Sequence, residues 1–306
     1  MNFAPRTLTR LAVPCVILAA AGFSSRASAE EYFKSYPVSG RADVRVHTDD
    51  SSVQVTTSDT TKVEFRVIYE GYAAIQIGGK LQIDSRQNGN QVELTESVSP
   101  GVTVGMRRIS TEVRMPRNAD LRLEGRDGSV EVSSLDGNIT IHTTDGSIKV
   151  SQLSGTMDIH STDGSLSADT LKGDFKLHTT DGSIRATNLD GKCDIASKDG
   201  SIRVAGRFDS LDVRSGDGSV EARVEHGSRM SSAWNIRSGD GSVELTVPSD
   251  LRANIDASTE DGHISSRLPI SVQGDISKSH VQGTMNGGGP ALVIHTSDGS
   301  IRLNGT

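Results

Sequence analysis

Three consecutive segments of equal length decide the fold of this chain: DGSIKVSQLSGTMDIHST at residues 145–162, DGSLSADTLKGDFKLHTT at 163–180 and DGSIRATNLDGKCDIASK at 181–198. Each begins with Asp-Gly-Ser, so the same tripeptide returns at a constant interval, at Asp145, Asp163 and Asp181. An internal repeat of fixed length is typical of a solenoid, in which each repeat packs only against its neighbours.

The repeat continues on both sides of these segments. Asp-Gly-Ser also starts at Asp127, Asp199 and Asp217 with the same spacing, and less evenly at Asp240 and Asp298, with Asp-Gly-His at Asp261. Near the N-terminus, residues 47–55 align without gaps with residues 142–150. The repeated unit therefore accounts for most of the chain.

A finer period lies within each repeat. Glycine recurs at every ninth position from Gly128 to Gly200, and apolar residues stand two and four positions after each glycine, with polar residues between them. This alternation is typical of short strands with one buried face. Leucine precedes one glycine corner, as at Leu153, whereas threonine or lysine precedes the other, as at Thr162. We therefore expect an all-β fold, a parallel β-solenoid with about 18 residues and two strands per coil.

Two solenoid geometries fit this pattern, a right-handed β-helix and a flattened two-sheet roll. A left-handed hexapeptide helix needs a six-residue period, which the sequence lacks. A calcium β-roll needs the motif Gly-Gly-x-Gly-x-Asp, whereas here each half-coil has one glycine that follows the aspartate.

The first residues predict export. Arg6 and Arg10 precede an apolar run at residues 11–22, and Ala27-Ser28-Ala29 is a small-x-small cleavage site. We expect a signal peptide at residues 1–29 and a mature protein in the periplasm, at the cell surface or outside the cell, without direct membrane insertion.

The mature chain, residues 30–306, is interpreted as one β-solenoid domain. Residues 30–126 would form less regular N-terminal coils and residues 127–306 the Asp-Gly-Ser coils. The alternative is a separate β-sandwich at residues 30–125. Loss of three arginines with the signal peptide takes the formal net charge from −7 to −10, which argues against nucleic acid and anionic lipid as partners.

The repeats also carry a family resemblance. The form Asp-Gly-Ser-Ile-x-Val, the segment VRMPRNADL at residues 113–121 and the ending LVIHTSDGSI at residues 292–301 resemble the bacterial β-strand-repeat family called "putative adhesin". The resemblance covers roughly residues 40–305. It implies an exported solenoid of uncharacterised activity and supplies no catalytic residues.

Two ladders of side chains are candidates for metal binding. The aspartates of the Asp-Gly-Ser corners supply one carboxylate per coil, fewer oxygens than calcium requires, so we interpret them as turn residues. His142, His160 and His178 occupy the same position in three successive repeats and would point outward in parallel rather than towards one zinc or copper ion. We interpret them as solvated repeat positions.

Other residues are candidates for catalysis. Asp158, Asp174 and Asp194 could share a strand face as in a polysaccharide lyase or hydrolase, but no basic partner recurs beside them in the sequence. No Gly-x-Ser-x-Gly motif occurs. Cys193, the only cysteine of the mature chain, occupies an inward position and is interpreted as core. We predict no catalytic, cofactor-binding or metal-binding residues.

Two surfaces are candidates for binding. Hydroxyl rows flank the Asp-Gly-Ser corners and are expected to point outward: Thr143, Ser147, Ser161, Ser165, Thr179, Ser183, Ser197 and Ser201. The segment Glu225–Asn235 interrupts the repeat and contains the only tryptophan, Trp234, which either covers the core or belongs to a binding loop. We predict a non-catalytic, adhesin-like structural or interaction protein whose partner is a polysaccharide or an envelope protein. The alternatives are a carbohydrate-active enzyme on a β-helix and a metal-binding solenoid.

Overall fold

The computed structural model describes residues 28–272 and 277–306, and in these ranges the chain forms strands and turns. The predicted signal peptide lies outside them except for Ser28 and Ala29, which begin the first strand. In the central coils, Ile148 lies beside Leu166 and Leu166 beside Ile184 in parallel register, a step of one full repeat each time. The prediction of an all-β parallel solenoid in which one coil corresponds to one repeat is confirmed.

The N-terminal end combines one parallel coil with antiparallel strands. Its strands are β1 (Ser28–Pro37), β2 (Ala42–Thr48), β3 (Ser51–Ser58), β4 (Lys62–Gly78), β5 (Leu81–Asn88), β6 (Gln91–Val98), β7 (Gly101–Pro116) and β8 (Ala119–Gly125). Strands β2 and β3 form a coil between two neighbours: β6 and β7 on one side, β8 and the following strand on the other. Strand β4 pairs antiparallel with β1 and β7, and β5 with β6. Residues 62–116, here called the N-terminal cap, thus cover the coil that precedes them in sequence.

The central array is regular. Its strands are β9 (Val130–Ser133), β10 (Asp136–Thr143), β11 (Ile148–Ser161), β12 (Leu166–Thr179), β13 (Ile184–Ser197), β14 (Ile202–Ser215) and β15 (Val220–Val224). From β11 to β14 the two strands predicted for each coil are one strand of 14 residues, bent near its middle. Residues with positive φ, such as Gln152 and Gly155, turn the backbone at the bend without a loop. The strand therefore keeps its parallel pairing with the next coil through the bend.

The C-terminal end departs from sequence order. Its strands are β16 (Trp234–Arg237), β17 (Val243–Val247), β18 (Ala253–Thr259), β19 (Ile264–Ser266), β20 (Ile270–Val272), β21 (His280–Met285), β22 (Ala291–Thr296) and β23 (Ile301–Gly305). Strand β22 lies between β16 and β18, and β23 lies between β17 and β19. The last coil of the chain, residues 291–305, is therefore inserted beneath the coil that precedes it in sequence. Strand β21 then covers β18 antiparallel.

The core is a single narrow column of apolar side chains. Each central coil contributes about five, for example Ile148, Val150, Leu153, Met157 and Ile159, all 1% exposed or less. Burial of each such side chain contributes about 1.5–3 kcal/mol, and it requires the neighbouring coil on each side.

Glycine at the corners allows the coils to approach. A β-carbon on Gly164 would lie 2.1 Å from the carbonyl oxygen of Gly146 in the preceding coil. Gly173, at the bend, has a φ of +123° and would meet the oxygen of Gly155 at the same distance. Glycine recurs every nine residues because each coil has two corners at which its backbone lies against that of the preceding coil.

No helix in the described ranges is both long enough and apolar enough to cross a membrane.

Candidate binding groove

An outward row of serines runs along the solenoid, one residue per coil. Backbone hydrogen bonds fix its order, since Ile148 N–H donates to the oxygen of Ser165 and Leu166 N–H to that of Ser183, each at 3.0 Å. The row consists of Ser129, Ser147, Ser165, Ser183, Ser201, Ser219, Ser242, Ser300 and finally His263. At the strand spacing of a parallel sheet it spans about 38 Å.

This row forms one wall of an open groove of about 920 Å³, here called the serine groove. The residues between its two walls, such as Leu166, Ile184 and Ile202, line its floor, but their side chains turn into the core and are 1% exposed or less. Its other wall consists of the residues two positions after those of the serine row. Most of them have long charged side chains, namely Glu131, Lys149, Arg185, Arg203, Glu221, Glu244 and Arg302, and the others are Ser167 and Ser265. The groove therefore offers hydroxyls on one wall and charged groups of both signs on the other.

The C-terminal end of the groove depends on the inserted C-terminal coil. Ser300 lies between Ser242 and His263, because Val243 N–H donates to its oxygen and Ile301 N–H donates to that of His263, each at 3.0 Å. The Ser300 hydroxyl also lies 2.9 Å from Nδ1 of His263. Sequence order alone would have ended the row differently.

The second hydroxyl row does not face solvent, and here the sequence prediction was wrong. Thr143, Ser161, Thr179 and Ser197 are 5% exposed or less. The Ser161 hydroxyl accepts a hydrogen bond from Gly164 N–H at 3.0 Å and donates to the Gly146 oxygen at 3.1 Å. These hydroxyls face inward because they satisfy the backbone of two successive Asp-Gly-Ser corners, which would otherwise be buried without partners. Only the serines that follow the glycines form a surface.

The corner aspartates form an exposed acidic row beside the groove. Asp145, Asp163, Asp181 and Asp199 are all exposed. A hydrogen bond with Asp145 raises the pKa of Asp127, and burial and the charges of Asp145 and Asp50 raise it further. Among the described residues, no group of three His, Cys, Asp or Glu side chains could hold a metal ion.

The histidine row is longer than the sequence indicated. His142, His160 and His178 do lie in register, half-buried, with the rings of the first two in an edge contact at 6.0 Å. His47 joins the row through Glu124, and His295 through Arg237. Burial lowers the pKa of His160, and the neighbouring His142 and His178 lower it further.

Two of the three candidate catalytic carboxylates are engaged in ion pairs. Asp174 lies 3.1 Å from Lys192, and Asp194 lies 2.8 Å from Arg214 and 3.4 Å from His178. For Asp174 and Asp194 the expectation that basic partners are missing was wrong, because these partners come from adjacent coils rather than from nearby sequence. Asp158 and Asp194 share one row and Asp174 lies in the other, and all three line one open groove of about 400 Å³ together with Lys176 and Lys192.

Cys193 and Trp234 both belong to the core. Cys193 is 3% exposed, and burial raises the pKa of its thiol well above the usual value. Trp234 is fully buried, with its ring edge-on to Phe208 at a centroid distance of 6.4 Å. Phe208 stands where the earlier coils have a corner glycine, beside Gly191. Of the predicted insertion, only the part before Trp234 is a surface loop.

A carboxylate in the N-terminal cap escaped the sequence analysis. Glu96 is 1% exposed and accepts a hydrogen bond from the Thr111 hydroxyl, while its second oxygen, Oε2, has no hydrogen-bond partner among the described residues. Burial raises its pKa to about 7, although hydrogen bonds from Thr111 and Ser51 act in the opposite direction. Its position in an alternating strand, QVELTESV, was the only signal that it faces inward.

Comparison with known proteins gives the family. The family described as Toastrack DUF4097 matches residues 38–304, which confirms the resemblance seen in the repeats. A structure of a "putative adhesin" from Bacteroides fragilis aligns at 12% identity with a TM-score of 0.41, covering 90% of this chain and 97% of that one. A "putative cell adhesion protein" from Clostridium sporogenes aligns at 12% identity with a TM-score of 0.24, covering 91% and 100%. Scores this low carry no argument about function, and no curated protein matches the chain.

Proposed function

This chain belongs to the Toastrack DUF4097 family, and we propose that it is an exported, non-catalytic binding protein of the cell envelope that holds an extended polysaccharide along the serine groove. The observation that carries the proposal is the continuity of the groove, with one serine hydroxyl per coil along one wall from Ser129 to Ser300. An open groove of this length suits a linear polymer better than a small substrate, which needs an enclosed pocket.

The chemistry of the groove supports a sugar polymer. Serine hydroxyls both donate and accept hydrogen bonds, as sugar hydroxyls do, and the charged side chains of the facing wall add further donors and acceptors. The spacing of about 4.8 Å between successive serines is close to the length of one sugar unit in an extended chain. A non-catalytic role is favoured because the carboxylates of Asp174 and Asp194 are held in ion pairs by Lys192 and Arg214.

Binding to a panel of immobilised polysaccharides tests the proposal, with the mature protein, residues 30–306, in solution. The double variant Ser165→Arg with Ser183→Glu should weaken binding at least tenfold and leave the melting temperature unchanged, because both side chains are exposed. The matched control is Gln152→Glu with Thr156→Arg, two exposed positions outside the groove. Equal binding by both double variants would show that the polysaccharide does not bind in the serine groove.

Turnover of the bound polysaccharide distinguishes the enzyme alternative. The purified protein should release no reducing ends during prolonged incubation with any polymer it binds. Sustained release that disappears in Asp174→Asn would replace the binding proposal with a carbohydrate-active enzyme.

Export has its own test. The mature N-terminus should be Glu30, which leaves residues 30–37 of β1 paired with β4. N-terminal sequencing of the protein recovered from the envelope fraction checks this, and an uncleaved chain in that fraction would refute cleavage.

A further inference from the structure

The middle of the serine groove holds one cation without an acidic neighbour. Lys149 pairs with Glu131 at 2.9 Å, and Arg203 pairs with Glu221 at 2.5 Å. Between these two ion pairs, in adjacent coils, lie Ser167 and Arg185. Arg185 is exposed and makes no ion pair with any described residue.

This arrangement favours a carboxylate at Arg185. A guanidinium binds a carboxylate with two parallel hydrogen bonds, which is stronger and more directional than a contact to a neutral group. The serines of the same stretch, Ser165, Ser183 and Ser201, stand on the facing wall, where they can bond the hydroxyls of the same or the next sugar.

The rest of the protein limits how many anionic groups the ligand carries. The mature chain has a formal net charge of −10, since three arginines leave with the signal peptide from a chain of −7, and the row of corner aspartates is exposed beside the groove. A polymer with a negative charge on every sugar would be repelled by this negative charge along its full length. A polymer with fewer, separated charges would be repelled less. The geometry points to a polysaccharide in which uronic acids alternate with neutral sugars, with one uronate carboxylate bound by Arg185. This inference rests on the proposed function of the groove.

Calorimetric titration with three octasaccharides tests it. The first alternates uronic acid with a neutral sugar, the second is the same compound with its carboxyls reduced to alcohols, and the third contains uronic acid at every position. The intact protein should bind the alternating compound about tenfold more tightly than the reduced one, and more tightly than the fully charged one. Arg185→Gln should remove the preference for the acid, so that the alternating and the reduced compounds bind with equal affinity. Arg185→Lys should restore only part of the preference, because lysine lacks the planar fork.

Arg237→Gln is the matched control, since Arg237 is exposed on β16, away from the groove. Its preference for the acid should equal that of the intact protein. Equal affinity of the intact protein for the alternating and reduced compounds would refute the inference and leave the proposed function standing. The inference also fails if Arg185→Gln keeps the preference or if the fully charged compound binds best. Absence of binding to all three, and to the polysaccharide panel, would overturn the proposed function itself.

Discussion

The middle of the solenoid and its two ends are built from the same repeat but follow different rules. In the middle, the coil at residues 163–180 lies between the coils that precede and follow it in sequence. At each end, a coil is placed out of order: residues 42–58 lie under the N-terminal cap, and residues 291–305 lie under β18 and β19. An open solenoid end would expose a row of unpaired strand backbone, which invites pairing with other chains. At each end, the outermost coil is covered by antiparallel strands, which pair with strand backbone that would otherwise be exposed.

The middle and the N-terminal end also differ in their buried polar groups. In the middle, inward hydroxyls such as Ser161 and Thr179 each bond the backbone of two corners. In the cap, the equivalent end of this row holds a carboxylic acid, Glu96, with one oxygen that lacks a partner among the described residues. The inward hydroxyls of the middle therefore have hydrogen-bond partners in the adjacent corners. The cap instead contains a buried carboxylic acid whose charge state depends on pH.

Deletions should produce the largest contrast. Removal of residues 163–180 joins Thr162 to Asp181 and leaves every remaining strand in register, so the shortened protein should still melt cooperatively. Removal of residues 291–306 takes four buried apolar side chains from between two coils, namely Leu292, Ile294, Ile301 and Leu303. This truncated protein should lose its cooperative transition in differential scanning calorimetry. Comparable melting of the two deletions would show that the order of coils at this end is unimportant for stability.

A corner substitution tests how tightly the middle is stacked. Gly164→Ala places a methyl group against the Gly146 backbone and should lower the free energy of unfolding by about 3 kcal/mol or more. Gly125→Ala, where the nearest atom would be at 3.5 Å, is the control and should change it by less than about 0.5 kcal/mol. Urea unfolding measures both, and a similar loss in the two variants would contradict close stacking at the Asp-Gly-Ser corner.

The cap should lose stability as the pH rises. The pKa of Glu96 is about 7 in the folded protein, above the usual 4.5, so the folded state binds a proton that the unfolded state releases. This contribution is present below about pH 4.5 and is lost between there and about pH 7, with an upper limit of about 3 kcal/mol. Glu96→Gln should match the native protein at pH 4 and exceed its unfolding free energy at pH 8. A constant difference across this range would show that Glu96 does not titrate there.

The histidine row should have the opposite and smallest effect. Because the pKa of His160 is lowered in the folded state, the unfolded chain gains a proton first as the pH falls below about 6.5. Its stability contribution is therefore present above that pH and is lost on acidification, by less than about 1 kcal/mol since the ring is partly exposed. His160→Gln should reduce this loss between pH 7 and pH 5, while His226→Gln, in an exposed loop, should not.

The repeat predicted the architecture because the same short pattern occurs in many successive coils of the sequence. The constant repeat length, the alternating burial and the glycine corners all recur, so an error at one coil is corrected by its neighbours. The direction of individual hydroxyls was harder to predict. Ser161 and Ser165 flank the same corner and look alike in sequence, yet the first is buried by its hydrogen bonds to two glycines and the second lines the groove.

Ion pairs were missed for a related reason. Lys192 and Asp174 are one full repeat apart in the sequence and meet only because their coils are stacked. The unpaired state of Arg185 among the described residues likewise depends on which side chains occupy the same row in the two adjacent coils.

The sequence by itself determined the coil length, the strand alternation, the corners and the column of apolar residues, because each arises from contacts between a coil and its immediate copy. Only the tertiary structure decided the order of the coils at the ends, and with it the placement of Ser300 between Ser242 and His263 and of His47 and His295 in the histidine row. The physical reason is that every coil presents nearly the same pairing surface. Local pattern therefore does not distinguish one neighbour from another, and the need to cover the two open ends selects the arrangement.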